Sequence, residues 1–130
     1  MTLLIAFSTD DGKNFNTGHF GMAKYYYIYN FGREKQEIVE QRKNVDFKGD
    51  ESMKHGDPEK AKATSSVLEG VDVLVGRKFG PNLPRILKRF VCIVVRRNTI
   101  DDAIELINRN LDTIVQEKNN RNRKHIVLSN

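Results

Sequence analysis

The stretch Thr17-Gly18-His19-Phe20-Gly21 sets an imidazole between two glycines. Flanking glycines tolerate positive φ angles and let a ligand approach the backbone closely. Neutral imidazole is a good ligand for iron, zinc, copper and nickel. His19 is therefore the candidate metal ligand, and Gly18, Phe20 and Gly21 are candidate cofactor contacts around it. A loop histidine that only caps a turn or bonds the backbone is the plainer alternative, and both readings stay open on the sequence. His55 falls in a loop before an expected helix, from which it could swing toward a ligand or simply be solvated. His125, near the end, has no neighbours of metal-binding type. Cys92, the single cysteine, sits in the apolar run Phe90–Val95 and reads as a small buried hydrophobe. One cysteine makes neither an internal disulfide nor a multi-thiolate site, and it suits a reducing compartment.

A second group is cationic. The net charge is +5, and the seven basic residues from Arg77 to Arg97 have no acid among them. Lys118, Arg121, Arg123 and Lys124 add a second patch. Such patches attract nucleic acid, anionic cofactors and acidic partners alike. Gly80-Pro81 introduces a helix N-terminus, whose amides favour an anion. Arg77, Lys78 and Gly80 are thus candidate secondary contacts for an anionic ligand. The span from Gly76 to Leu83 lacks the Gly-Lys-Ser/Thr ending of a phosphate cradle, which speaks against nucleotide hydrolysis.

No catalytic residues are assigned. A nuclease would need several converging carboxylates for two metals. Asp10 and Asp11 are adjacent and diverge, Asp72 lies on a later strand, and Asp10-Asp11-Gly12 reads first as a turn. RNA or an acidic protein could use the basic patches, but Tyr25 to Tyr29 alternate between sheet faces and form no RNA-recognition platform. Nucleic acid is accordingly the weaker expectation.

These residues need a scaffold, and the chain of 130 residues with 38% hydrophobic content has the size of one domain. No apolar run is long enough for a membrane helix, and Leu3–Phe7 is too short for a signal segment, so a cytoplasmic location is expected. Leu3–Ser8 reads as a central strand ending in the turn Thr9–Gly12. Tyr25–Tyr29 and Gln36–Arg42 read as two further strands of a meander. After a loop over 44–56, a helix is predicted from Asp57, its N-cap, to about Glu69, with Gly70 closing it. Val71–Val75 and Val91–Val95 read as buried strands around a short helix from Pro81 or Leu83 to Arg89. Thr99 caps a long final helix whose Ile100, Ala103, Ile104, Ile107, Leu111, Ile114 and Val115 share one face. Residues 118–130 are expected as a basic tail beyond a domain of 1–117, although Ile126–Leu128 could dock. The pattern predicts an α/β fold, a single mixed sheet of about five strands with flanking helices.

The order Ile5-Ala6-Phe7-Ser8-Thr9-Asp10-Asp11-Gly12, then Gly18-His19-Phe20-Gly21-Met22-Ala23, then the aromatic strand, resembles the opening of the dinitrogenase iron–molybdenum cofactor biosynthesis family, the NifX-like group. The likeness runs on through Leu68–Gly76, Gly80-Pro81 and Thr99–Ile104, to about residue 117. It implies a ribonuclease-H-like fold. It also implies a carrier that binds an iron–molybdenum or iron–sulfur cluster, with His19 at the ligand position and a cluster donor or acceptor protein as partner. A second copy of the chain could complete the site. One departure is Gly76-Arg77-Lys78-Phe79-Gly80-Pro81, where a glycine-rich turn is usual in that family.

Overall fold

The computed structural model describes residues 2–45 and 56–129. His55 and most of the loop expected over 44–56 lie outside the described residues. Six strands form one sheet in the order β3-β2-β1-β4-β5-β6. β1 (Leu3–Thr9) pairs antiparallel with β2 (Tyr25–Phe31), which pairs antiparallel with β3 (Gln36–Lys43). On its other side β1 pairs in parallel with β4 (Val73–Gly76), followed in parallel by β5 (Val91–Val95) and β6 (Ile126–Leu128). The meander and the two buried strands stand as expected, and β6 raises the strand number to six.

Alternation along the strands sorts the core into two halves. Leu3, Ile5, Phe7, Val73, Val75, Val91, Ile93 and Val95 face one side, where Ile100, Ala103, Leu106, Ile107 and Ile114 close over them. Ala6, Leu74 and Cys92 face the other, against Phe20, Tyr26, Leu68, Phe79, Ile86 and Phe90. α1 (Pro58–Val67) and α2 (Leu83–Ile86) therefore cover one face, and α3 (Ile100–Asn108) and α4 (Leu111–Lys118) the other. β4 to β5 and β5 to β6 step in the same direction but cross on opposite faces. The two crossovers thus have opposite hands, and one departs from the usual right-handed rule.

Local chemistry explains the element ends. The Asp57 carboxylate accepts from Glu59 N at 3.0 Å, which caps α1 with Pro58 in its first turn. Thr99 Oγ1 accepts from Asp102 N at 3.2 Å to start α3. The final helix, expected as continuous, is broken. Asn110 leaves helical geometry (φ −126°, ψ 19°), and its side chain donates to Leu106 O at 2.8 Å. Asparagine competes with the helix ladder in this way, so the apolar face continues from α3 to α4 across a bend. The strand expected from Val71 starts at Val73, because Val71 N donates to Leu68 O and continues the turn after α1. Residues expected as a tail include β6, and the Arg123 guanidinium anchors the approach to it. That guanidinium donates to Leu87 O and Lys88 O at 3.2 Å and to Lys118 O at 3.1 Å, tying the end of α2 to the end of α4.

Candidate functional site

Three loops meet beyond the carboxyl ends of β1, β4 and β5: residues 10–24, 77–82 and 96–99. In open α/β sheets this end collects ligand sites, because connections there are free of strand pairing. The first loop is built by its own polar side chains. Asp11 Oδ1 accepts from Lys13 N at 2.9 Å and Asn14 N at 2.8 Å, and Asp11 Oδ2 accepts from Asn14 Nδ2 at 3.0 Å. These donors, the Asn14 side chain foremost, hold the Asp11 carboxyl far below the usual carboxylate range. Asp10 Oδ1 accepts from Lys24 N at 2.9 Å. The loop is stitched to its neighbours by Phe15 N to Asn98 O at 2.9 Å and Phe20 N to Lys78 O at 2.7 Å.

His19 precedes a short 3₁₀ turn at Phe20–Met22 and is half-buried. Its main chain is held by Asn16, whose buried amide donates to His19 O at 2.9 Å and Gly18 O at 3.3 Å. Its ring lies against Gly80. A Cβ built there would come within 2.5 Å of Nδ1, 2.7 Å of Cε1 and 2.9 Å of Cγ, and Gly80 has φ +76°. Glycine is required at position 80 twice over, by the left-handed backbone and by the imidazole. Gly21 makes a similar approach to α1, since a Cβ there would sit 3.2 Å from Thr64 Oγ1 and 3.5 Å from Lys60 Cε. A narrow cleft of about 20 Å³ runs between His19, Gly21, Lys60, Thr64, Phe79, Pro81, Asn82 and Ile86.

Phe20, expected as a contact, is a core residue. Its ring is fully buried and stacks between Tyr26, with centroids 4.8 Å apart, and Phe79, at 5.0 Å. Phe20 O accepts from the Tyr26 hydroxyl at 2.9 Å, so the residue after His19 anchors the loop in the core beneath α1 and α2. Arg77 and Lys78 lie at the same end of the sheet as His19 but line a different space. With Asn14, Phe15, Asn16, Thr17 and Asn98 they surround a cavity of about 680 Å³ beside the core under α3. The expected single cluster of His19, Arg77, Lys78 and Gly80 is thus resolved into His19 with Gly80 on one side and the two cations on the other.

Sequence reasoning missed Lys60, Thr64, Asn82, Asn16 and Asn98. Only their polarity near the loop could have flagged them, since their positions depend on tertiary contacts. Cys92 is buried, and desolvation drives its thiol pKa well above the ordinary range. Asp72 accepts from Leu4 N at 2.9 Å at the opposite end of β1 from Asp10, which is about 20 Å away at 3.3 Å per residue. The three carboxylates weighed for a nuclease therefore do not converge. Among the described residues no three His, Cys, Asp or Glu side chains are grouped to hold a metal ion, and no helix is long and apolar enough to cross a membrane.

Comparison with known proteins bears on the fold and the family. A crystal structure from Methanocaldococcus jannaschii, described as a candidate dinitrogenase, superposes with a TM-score of 0.56 at 18% identity and covers 85% of this chain and 91% of its own. At that identity the likeness shows the fold. No curated protein matches the chain in sequence. The family model described as dinitrogenase iron-molybdenum cofactor matches residues 1–110, which takes in the His19 loop, Arg77 to Asn82 and α3. With most of its length matched, the chain belongs to the dinitrogenase iron–molybdenum cofactor family.

Proposed function

We propose that the chain is a non-catalytic carrier that holds an anionic iron–molybdenum or iron–sulfur cluster through His19 and passes it between a donor and an acceptor protein. The observation that carries this reading is the pinned imidazole. His19 is half-buried, its ring rests on Gly80, and its main chain is held by Asn16. A ligand oriented before the cargo arrives loses little side-chain entropy on binding.

The donor set suits a preassembled cluster. Cys92, the only thiol, is locked in the core, so this chain supplies imidazole and cations and no thiolate. The cleft beside His19 has room for about one water, so a cluster would rest on the surface with much of itself exposed. Exposure and a single protein ligand favour release, as a carrier requires. Gly80 lets the imidazole pack on its backbone, and Gly18 and Gly21 flank His19 without side chains of their own. Arg77 and Lys78 add positive potential at the same end of the sheet. The remaining ligands come from the cargo itself or from a second copy of the chain. The three-strand meander leading into parallel strands supports a ribonuclease-H-like relationship, and the buried free thiol supports a reducing, cytoplasmic setting.

The test is anaerobic titration of the apo-protein with iron, sulfide and molybdate, and separately with extracted cofactor, followed by visible absorption and gel filtration. Cluster absorption should co-elute with the protein and fall at least tenfold in His19→Ala. Negligible uptake, equal in both proteins, would overturn the carrier reading.

A further inference from the structure

We propose that the cavity of about 680 Å³ beneath Arg77 and Lys78 binds a small phosphate ester with a hydroxylated body. Its volume lies in the range of about 300–1,000 Å³ that small-molecule sites occupy. Among the described residues the lining holds two cations, three asparagines, a threonine, Phe15 as an apolar wall, and no acid. Ligation by His19 plays no part in it.

The orientation of the amides gives the cavity two adjoining sets of groups, on segments joined by Phe15 N to Asn98 O at 2.9 Å and by the bridge between Asn14 and Thr99. Asn98 Oδ1 accepts from Arg77 Nη1 at 2.7 Å, so its NH₂ group is the atom set left to offer a ligand. With the guanidinium and the Lys78 ammonium this makes a donor-only set. An arginine fork plus a lysine point charge matches a phosphate dianion. At Asn14 and Asn16 the commitments are reversed. Asn14 Nδ2 donates to the Asp11 carboxylate, and Asn16 Nδ2 donates to the Gly18 and His19 carbonyls. Carboxylate and carbonyl partners require a donor, so the NH₂ groups face them and Oδ1 is what each amide has left. Two acceptors would repel a bare oxyanion but accept from hydroxyl groups. The Thr17 hydroxyl can both donate and accept. The pattern is that of a sugar phosphate, with phosphate toward Arg77, Lys78 and Asn98 and hydroxyls toward Asn14 and Asn16.

Titration of the ¹⁵N-labelled full chain, read by two-dimensional NMR, tests this with ribose 5-phosphate, inorganic phosphate and ribose as separate probes. Saturable shifts at Asn14–Thr17 and Asn98 are expected with ribose 5-phosphate, with inorganic phosphate at least tenfold weaker and ribose inert. Arg77 and Lys78 are exposed, so Arg77→Gln and Lys78→Gln leave the core untouched. Each should weaken binding about tenfold, while Lys88→Gln, in the same basic stretch but outside the cavity, should not. Three results would overturn the proposal: no saturable shift with either phosphate, inorganic phosphate binding as tightly as the ester, or shifts indifferent to both cavity variants.

Discussion

The imidazole of His19 lies so close to Gly80 that a methyl group on that glycine would fall 2.5 Å from Nδ1. Two loops more than sixty positions apart in the chain are thereby locked as one surface. Gly80→Ala forces both a left-handed alanine and a displaced ring. It should cost about 1–3 kcal/mol in urea unfolding, and it should shift the His19 ring signals while Gly70→Ala leaves them in place.

Asn16 is buried and bridges two carbonyls of the loop. Removing its amide in Asn16→Ala leaves those acceptors in a poorly hydrated place, at about 1–3 kcal/mol. Hydrogen exchange should quicken at Phe20, whose amide bonds Lys78, more than in the strands.

Phe20 holds the loop from below. Phe20→Ala opens a hole between Tyr26 and Phe79 and should destabilise the chain by about 3–5 kcal/mol. Phe20→Leu should recover most of that loss and retain whatever the His19 surface binds. A Phe20→Leu variant as stable as wild type but unable to bind would show that the ring itself contacts the ligand.

Asp11 predicts an acid limb to stability. Its carboxyl pKa is depressed in the folded chain by donors from Asn14, Lys13 and Thr9. A depressed pKa contributes stability above the unfolded value of about 4 and loses it as pH falls toward the folded one. The Tm of wild type should therefore drop more steeply than that of Asp11→Asn as pH is lowered below about 4, with no difference in slope between pH 6 and 8.

Cys92 is buried with its thiol donating to Phe90 O at 3.9 Å, and burial raises its thiol pKa. Thiolate is the reactive form, so alkylation at pH 8 should proceed only as fast as the chain opens and should become immediate in denaturant.

Much of the frame is legible in the residues. The apolar strands and the Asp57 and Thr99 caps follow from local pattern, and they hold in the structure. What escapes local pattern is tertiary. The bend at Asn110 interrupts a face whose periodicity continues through it, because one side-chain hydrogen bond outweighs the ladder there. β6 is three residues long, and its crossover has the opposite hand to that between β4 and β5, so neither length nor topology rule announces it. Phe20 sits between a histidine and a glycine in a polar loop, and only the positions of Tyr26 and Phe79 make it core. The division of His19 from Arg77 and Lys78 depends on which sheet face each loop leans over, and residues near one another in sequence carry no sign of it.

The central claim is that His19 binds the cargo directly. Pulsed electron paramagnetic resonance on the chain loaded anaerobically with extracted cofactor, in a paramagnetic state and with ¹⁵N-histidine incorporated, reads this at the ligand atom. The account predicts a histidine nitrogen coupling in wild type that is absent in His19→Ala and unchanged in His125→Ala. A bound cluster with no histidine coupling, or one whose coupling survives the loss of His19, would contradict it.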